Sequence, residues 1–183
     1  MYFKEKAVDI IEFFRSEQKR LHRELYASVN GLTLDEWHYT LPGTGNHIAF
    51  ILWHCVRTED NILNLILRER PTLWHEEQWA ARLQLPQKVQ GTSMPTEEAH
   101  NLRLADPAHF LQYAQRVWQE FEGYLAGIDD GGKELSQRTV MVKPLGKMPA
   151  IQAIGIVCLS HLFSHLGEIS LLLGAQGKQG SAI

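Results

Sequence analysis

The chain has 183 residues, of which 44% are hydrophobic and 21% charged, and its formal net charge is −3. This length and composition predict one globular domain spanning residues 1–183 and exclude the disordered and fibrous classes. A slightly acidic chain without a cluster of lysines and arginines lacks the electrostatic footprint of a nucleic-acid-binding protein, and its two cysteines, Cys55 and Cys158, are too few for a disulfide scaffold.

Two long amphipathic helices are predicted in the first part of the chain. Apolar residues recur at three- and four-residue steps over residues 3–29, and Asn30-Gly31 is the punctuation expected at a helix end. A second helix is predicted over residues 47–70, where Pro71 follows. Either Thr44 or Asn46 could cap its first turn.

The second half of the chain is predicted to add two more long helices. One begins at Asp106-Pro107 and the other runs over residues 149–174. The connection between the second and third helices is about 35 residues long, which suits a crossover along a helical bundle better than a tight turn. Short helices are expected within it at 72–83 and 96–104, and a short strand is expected later, at 138–142. The predicted architecture is therefore an all-α four-helix bundle with one long crossover.

The most apolar segment covers residues 150–175 and is long enough to be tested as a membrane span. It contains His161, His165 and Glu168, and ionisable groups near the middle of a membrane are costly. We therefore expect a buried core helix, with no membrane partner. The first six residues do not have the layout of a secretory signal, so a cytoplasmic protein is expected.

A pair of histidines marks this last helix as a candidate metal site. His161 and His165 are four residues apart, which places their side chains on one helical face with β-carbons about 5–6 Å apart. Two imidazole nitrogens can then converge on one metal ion at about 2.0–2.1 Å each. The alternative is a pair of hydrogen-bonded histidines in the core or in a surface groove, since the motif is short.

A third imidazole could come from the second helix. His54 lies in its middle among apolar neighbours and shares one helical stripe with His47, Thr58 and Asn61. Three histidines on two facing helices would form a three-histidine site with positions open for water or substrate.

These residues resemble a known family. The motif elements are Trp53-His54 followed by Arg57 and Glu59-Asp60, and His161 followed by His165 and Gly167-Glu168-Ile169. Together with the helix order and the long connection, they resemble the DinB/YfiT-like metalloprotein superfamily over nearly the whole chain.

The resemblance implies a four-helix bundle of up-down-down-up topology, often a homodimer. It also implies a divalent metal, commonly zinc or nickel, held by three histidines that match His54, His161 and His165. Many members have Gln where this chain has Glu168. A carboxylate there could orient a ligand histidine, act as a base on bound water or contact substrate, or be a polar residue near the helix end.

Further side chains are candidates for supporting roles. Asn61 and Glu168 are assigned to catalysis, as supports for the ligands or as substrate contacts. Arg57 would contact an anionic thiol cofactor, although an ion pair with Glu59, Asp60 or Glu168 is the favoured alternative.

Other residues are given structural roles. Cys158 shares the face of the histidine pair, but a buried core residue is favoured over a thiolate ligand. His47 is expected to be a polar residue at a helix start. Trp74 and Trp79 could be core or loop anchors, and they are also the candidates for a lid over a pocket. Five histidines are expected on the surface: His22, His38, His75, His100 and His109.

By resemblance, the first functional hypothesis is metal-assisted activation of a low-molecular-weight thiol, such as bacillithiol, mycothiol or glutathione, and its transfer to an electrophilic substrate. A metal-dependent hydrolase and a non-catalytic metal-binding or stress-response module are the alternatives.

Overall fold

The computed structural model describes residues 9–43 and 46–181, and its first long helix is α1, Ile10–Val29. Asp9 caps this helix, because its side chain accepts a hydrogen bond of 2.9 Å from the backbone N–H of Ile11. The predicted helix started at residue 3, and residues 3–8 lie outside the described residues. A short helix follows, α2, Leu34–Trp37.

The second long helix is α3, Ile48–Asp60, which continues as a π-helical segment, π1, Asn61–Leu67. Its N-cap is His47, whose Nδ1 accepts a hydrogen bond of 3.1 Å from the backbone N–H of Phe50. The expected cap at Asn46 is therefore wrong, and Thr44 lies outside the described residues. The predicted end at residue 70 was three residues too late.

The long crossover contains α4, Leu73–Glu76, α5, Trp79–Leu83, and α6, Thr96–Asn101. These helices confirm the two short helical stretches predicted there. The third long helix, α7, Pro107–Ala126, starts where its sequence indicates, because the Asp106 side chain accepts from the backbone N–H of His109 at 2.9 Å.

A small hairpin precedes the last helical run. The short helix α8, Lys133–Gln137, leads into β1, Thr139–Val142, which pairs antiparallel with β2, Gly146–Pro149. The predicted strand is confirmed, and its partner was not predicted from the sequence.

The last helical run has three parts, α9, Ala150–Ala153, π2, Ile154–Ser160, and α10, His161–Ala175. α1 packs against α7, π2 and α10, and α3 packs against α7 and α10. The fold is thus all-α apart from the hairpin, as predicted.

The apolar run Ala150–Ala175 could cross a membrane by length and composition alone, with a mean hydropathy of 1.6. Its Leu162, Leu166 and Ile169 side chains are buried in the common core. This run packs against α1 and α3, which buries part of its apolar surface.

Candidate metal centre

His54, His161 and His165 meet at one point between α3 and α10. His161 and His165 begin α10 and lie one turn apart, and His54 faces them from the middle of α3. The Nε2 atom of His161 lies 3.0 Å from Nε2 of His165 and 3.4 Å from Nε2 of His54. The structure therefore brings together the three residues that the sequence singled out.

The tautomers of two of these rings are set by their second nitrogens. Nδ1 of His54 lies 2.6 Å from the backbone carbonyl oxygen of Gln90, and Nδ1 of His165 lies 3.0 Å from Oε2 of Glu168. A carbonyl oxygen and a carboxylate oxygen only accept, so both Nδ1 atoms donate. In the neutral rings, the Nε2 lone pairs of His54 and His165 must then point at the centre.

These residues fit a divalent metal ion. A tetrahedral ion with nitrogen ligands at 2.0–2.1 Å separates those nitrogens by about 3.3 Å, close to the observed spacing of the Nε2 atoms. Converging lone pairs repel each other unless a proton or a cation lies between them. Three protein ligands also leave at least one coordination position open.

Burial favours the neutral rings of His54 and His161. Burial lowers the pKa of His54 to about 4, with further lowering from the positive charges of His165 and His161. Burial also lowers the pKa of His161. The hydrogen bond from His165 lowers the pKa of Glu168, so its carboxylate is ionised at neutral pH. Neutral imidazoles beside a carboxylate form a suitable ligand set for a divalent cation.

Each ligand-bearing helical run contains a π-helical segment beside the centre. π2 ends at Ser160, immediately before His161, and π1 begins at Asn61, two turns after His54. The two segments contact each other. Such segments often occur at functional sites, since one additional residue per turn redirects the side chains that follow.

A cleft with a volume of about 750 Å³ opens beside the histidines. Its walls are π1, π2, the turn of the β1–β2 hairpin and residues 88–92 of the crossover. His161, Asn61 and Gln90 line it, and the Asn61 side-chain amide donates to Oε1 of Gln90. The space next to His161 is therefore large enough for a small molecule.

The supporting residues predicted from the sequence separate into two groups. Glu168 contacts a ligand histidine and Asn61 lines the cleft. Arg57 is 1% exposed, and its guanidinium lies over the Trp74 ring and 3.9 Å from Asp60. It belongs to the core, where the ion-pair alternative fits, and it is not among the residues that line the cleft.

Several other expectations are settled by burial. His22 was expected on the surface, but it is buried and its Nε2 lies 2.8 Å from Oε1 of Glu59. Cys158 is a free, fully buried thiol, as favoured. Trp74 and Trp79 are buried core residues, which is one of the roles considered for them, and neither lines the cleft.

Sequence reasoning missed Gln90 and Gly91. Gly91 has a φ of +92° and packs so closely that a β-carbon there would lie 3.1 Å from Nδ1 of His54. The available signal was a Gln-Gly dipeptide in a stretch without periodicity, which marks a turn but does not indicate what it contacts.

Comparisons with known proteins agree with this fold. A scan against protein-family models matches the DinB superfamily over residues 17–169, a range that includes all three histidines. A crystal structure from Enterococcus faecalis, described as that of the conserved protein of locus, is similar with a TM-score of 0.71 and 18% identity, covering 92% of this chain and 99% of that one. That likeness shows a shared fold. No curated protein matches the chain.

Proposed function

The chain belongs to the DinB superfamily, and from this premise we propose that it binds one divalent ion, zinc or nickel, and activates a low-molecular-weight thiol for transfer to an electrophilic substrate. The observation that carries the proposal is the convergence of three Nε2 atoms at the end of an open cleft. Two of those rings are held by Nδ1 hydrogen bonds in the tautomer that a metal ligand needs.

The ion would supply Lewis acidity: a divalent cation with an open position lowers the pKa of a thiol or water molecule placed there. The protein supplies the geometry. Gln90 and Glu168 hold the His54 and His165 rings in place, and Asn61 offers an amide to a molecule in the cleft.

In the proposed reaction, the S–H bond of the thiol breaks and a C–S bond forms at the electrophile. The thiol proton leaves with the displaced group, or is taken up by the electrophile when the reaction is an addition. A cleft of about 750 Å³ has space for a small acceptor beside the histidines.

The setting of the reaction follows from the same proposal. Low-molecular-weight thiols are intracellular reductants, so we place the protein in the cytoplasm, where the free thiols of Cys55 and Cys158 would also stay reduced. We place it there as a homodimer, in keeping with the family resemblance. Gel filtration showing a monomer would contradict the dimer without affecting the metal site.

The first test is the metal content of the purified chain by inductively coupled plasma mass spectrometry. The native chain and the His75→Ala variant are expected to carry equal amounts of zinc or nickel, and His161→Ala is expected to lose it. His75 is a matched control because it is an exposed helical histidine outside the cluster. Failure of the native chain to bind either metal after loading would reject the proposal.

The second test measures thiol transfer. The metal-loaded chain is mixed with bacillithiol, mycothiol or glutathione and with monochlorobimane, which becomes fluorescent when its chlorine is displaced by a thiol. The native chain and His75→Ala should accelerate this reaction and His161→Ala should not. A metal-loaded chain inactive with every thiol, but active on ester substrates, would instead indicate a hydrolase. Inactivity in both assays would favour a non-catalytic metal-binding module.

A further inference from the structure

Large apolar side chains that remain exposed are concentrated around the cleft. Leu65 of π1, Met141 of β1, Leu145 of the hairpin turn and Ile156 of π2 are 57%, 49%, 55% and 39% exposed, and all four line it. Single exposed apolar residues are ordinary on a protein surface, but a group of them around one concavity marks a binding site.

The charged side chains that line the cleft are positive. Lys88 of the crossover and Lys143 of the hairpin turn line it from opposite elements, and no aspartate or glutamate is among its described lining residues. Both lysines are exposed, and neither forms an ion pair with any residue in the described part of the chain. A protein with a net charge of −3 therefore has a locally positive cleft with apolar walls.

We propose that this cleft binds a small organic anion with an apolar body, such as an aryl or alkyl carboxylate or sulfonate. The apolar body lies against Leu65, Met141 and Ile156, and the anionic group pairs with Lys88 and Lys143. His161 lies in the wall of the same cleft, so the bound molecule reaches the histidine centre. The inference rests on the proposed function, because it names the chemical class of its electrophilic substrate.

The size and charge of the cleft support this occupant. Its volume of about 750 Å³ lies within the range of sites for drug-sized ligands. Pairs between exposed charges are individually weak, so the apolar walls provide affinity while the lysines select an anion over a neutral molecule of the same shape.

Two fluorescent probes test the inference directly. Anilinonaphthalene sulfonate is an apolar anion, and phenylnaphthylamine has the same aromatic body without the sulfonate. The full chain, metal-free and metal-loaded, is titrated with each probe. We expect the sulfonate to bind more tightly than the neutral probe, and its advantage to shrink as salt is added.

Two lysine variants separate the cleft from the overall charge. In the Lys88→Gln, Lys143→Gln double variant, the dissociation constant of the sulfonate should rise about fivefold while that of the neutral probe stays unchanged. The control is Lys133→Gln, Lys147→Gln, which removes the same charge at exposed positions outside the cleft and should leave both probes unaffected.

A second pair of variants tests the apolar wall. Leu65→Gln should raise the dissociation constants of both probes about fivefold, because it removes an apolar contact that each probe makes. Leu171→Gln is the control, since Leu171 is an exposed leucine outside the cleft. Leu65 is itself exposed, so its replacement leaves the core intact.

Three results would overturn the inference: no binding of the sulfonate by the native chain, equal affinities in the two double-lysine variants, or gel filtration in which Leu65→Gln converts a dimer to a monomer. The last result would mean that a second copy of the chain covers the cleft. Metal content measured on the same samples keeps the two proposals apart. A native chain that binds metal but no sulfonate loses only this inference. A chain that binds sulfonate but no metal loses the proposed function and the substrate role of the anion, while the binding of the anion in the cleft stands.

Discussion

Nδ1 of His54 lies 2.6 Å from the carbonyl oxygen of Gln90, a residue 36 positions further along the chain. The Gln90 side chain also accepts from the Asn61 amide, so this one residue is bound twice by the second long helical run. The crossover therefore fixes the ring orientation of a candidate metal ligand on α3. No sequence pattern links the crossover to that helix. This contact makes the crossover part of the site.

Replacing Gly91 with alanine tests that contact. A β-carbon at this position would lie 3.1 Å from Nδ1 of His54 and 3.2 Å from the Phe50 ring, at a φ of +92°. The neighbours must shift, so the His54–Gln90 hydrogen bond should weaken. Losing such a support of a ligand histidine typically lowers metal affinity about 10- to 100-fold. We expect a loss of this size for Gly91→Ala, measured by competition with a chromogenic chelator.

Gly31→Ala is the matched control. Gly31 also has a positive φ, +82°, but a β-carbon there would have no neighbour within 4 Å. Gly31→Ala should therefore introduce backbone strain similar to that of Gly91→Ala, about 1 kcal/mol, and leave the metal affinity unchanged. Equal metal affinities in the two variants would show that Gly91 does not position His54.

Glu168 should support His165 in the same way. Its Oε2 lies 3.0 Å from Nδ1 of His165, and we expect Glu168→Ala to lower metal affinity about 10- to 100-fold. Glu168→Gln keeps an oxygen acceptor and should lose less metal affinity than Glu168→Ala. Ser164→Ala is the control, because this residue next to His165 is exposed and its hydroxyl donates to the carbonyl oxygen of Ser160. If Glu168→Ala bound metal as tightly as the native chain, the carboxylate would be a polar residue near the helix end.

The sequence predicted the ligands better than it predicted their supports. His161 and His165 are linked by helical periodicity, and His54 stands out as an imidazole among apolar neighbours, so both signals are local. Gln90 acts through its backbone carbonyl, which every residue type has. No residue preference could have identified that acceptor without the path of the crossover.

The same distinction explains the errors in the fold. The start of α7 could be predicted because Asp106 is a capping residue and is followed by a proline at the first helical position. The start of α3 was predicted to within one residue, but its capping residue was not, because His47 caps it through Nδ1 and histidine is not a common capping residue. The π-helical segments each add one residue to a turn, which leaves the apolar pattern almost unchanged over a long helix.

His47 should make the stability of the fold depend on pH. It is fully buried, and burial lowers its pKa to about 4 from the ordinary 6.5. The folded state thus prefers the neutral ring, whose Nδ1 accepts from Phe50. The unfolded chain takes up the proton first as the pH falls. Stability is therefore complete above pH 6.5 and should decline towards pH 4, by on the order of 2 kcal/mol from this residue.

His47→Asn isolates that contribution, since asparagine is a capping residue that does not titrate in this range. The free energy of unfolding, measured in urea at several pH values, should fall less steeply between pH 6.5 and pH 4 in this variant than in the native chain. The control is His109→Asn, a partly exposed histidine on α7. Parallel pH profiles for native chain and His47→Asn would assign the acid sensitivity to other groups.

Glu59 is the centre of a buried polar cluster between α1, α3 and α7. It is fully buried and accepts hydrogen bonds from His22 Nε2 at 2.8 Å, from Trp118 Nε1 at 3.1 Å and from the Gln18 amide. The His22 and Trp118 rings are stacked, with centroids 5.0 Å apart. This cluster joins α1, α3 and α7, three of the four long helical runs.

Replacing Glu59 with glutamine should destabilise the fold by about 2–3 kcal/mol, because an amide NH₂ then takes the place of a buried carboxylate oxygen that accepts from these donors. Urea unfolding monitored by circular dichroism measures this loss. Glu122→Gln provides the comparison, since Glu122 is half-exposed and lies 3.8 Å from the Lys19 amine, and such a surface pair is worth about 0.5 kcal/mol. If the two variants lost equal stability, the Glu59 cluster would contribute no more than a surface ion pair. A larger loss for Glu59→Gln would establish the cluster as the polar link between α1, α3 and α7.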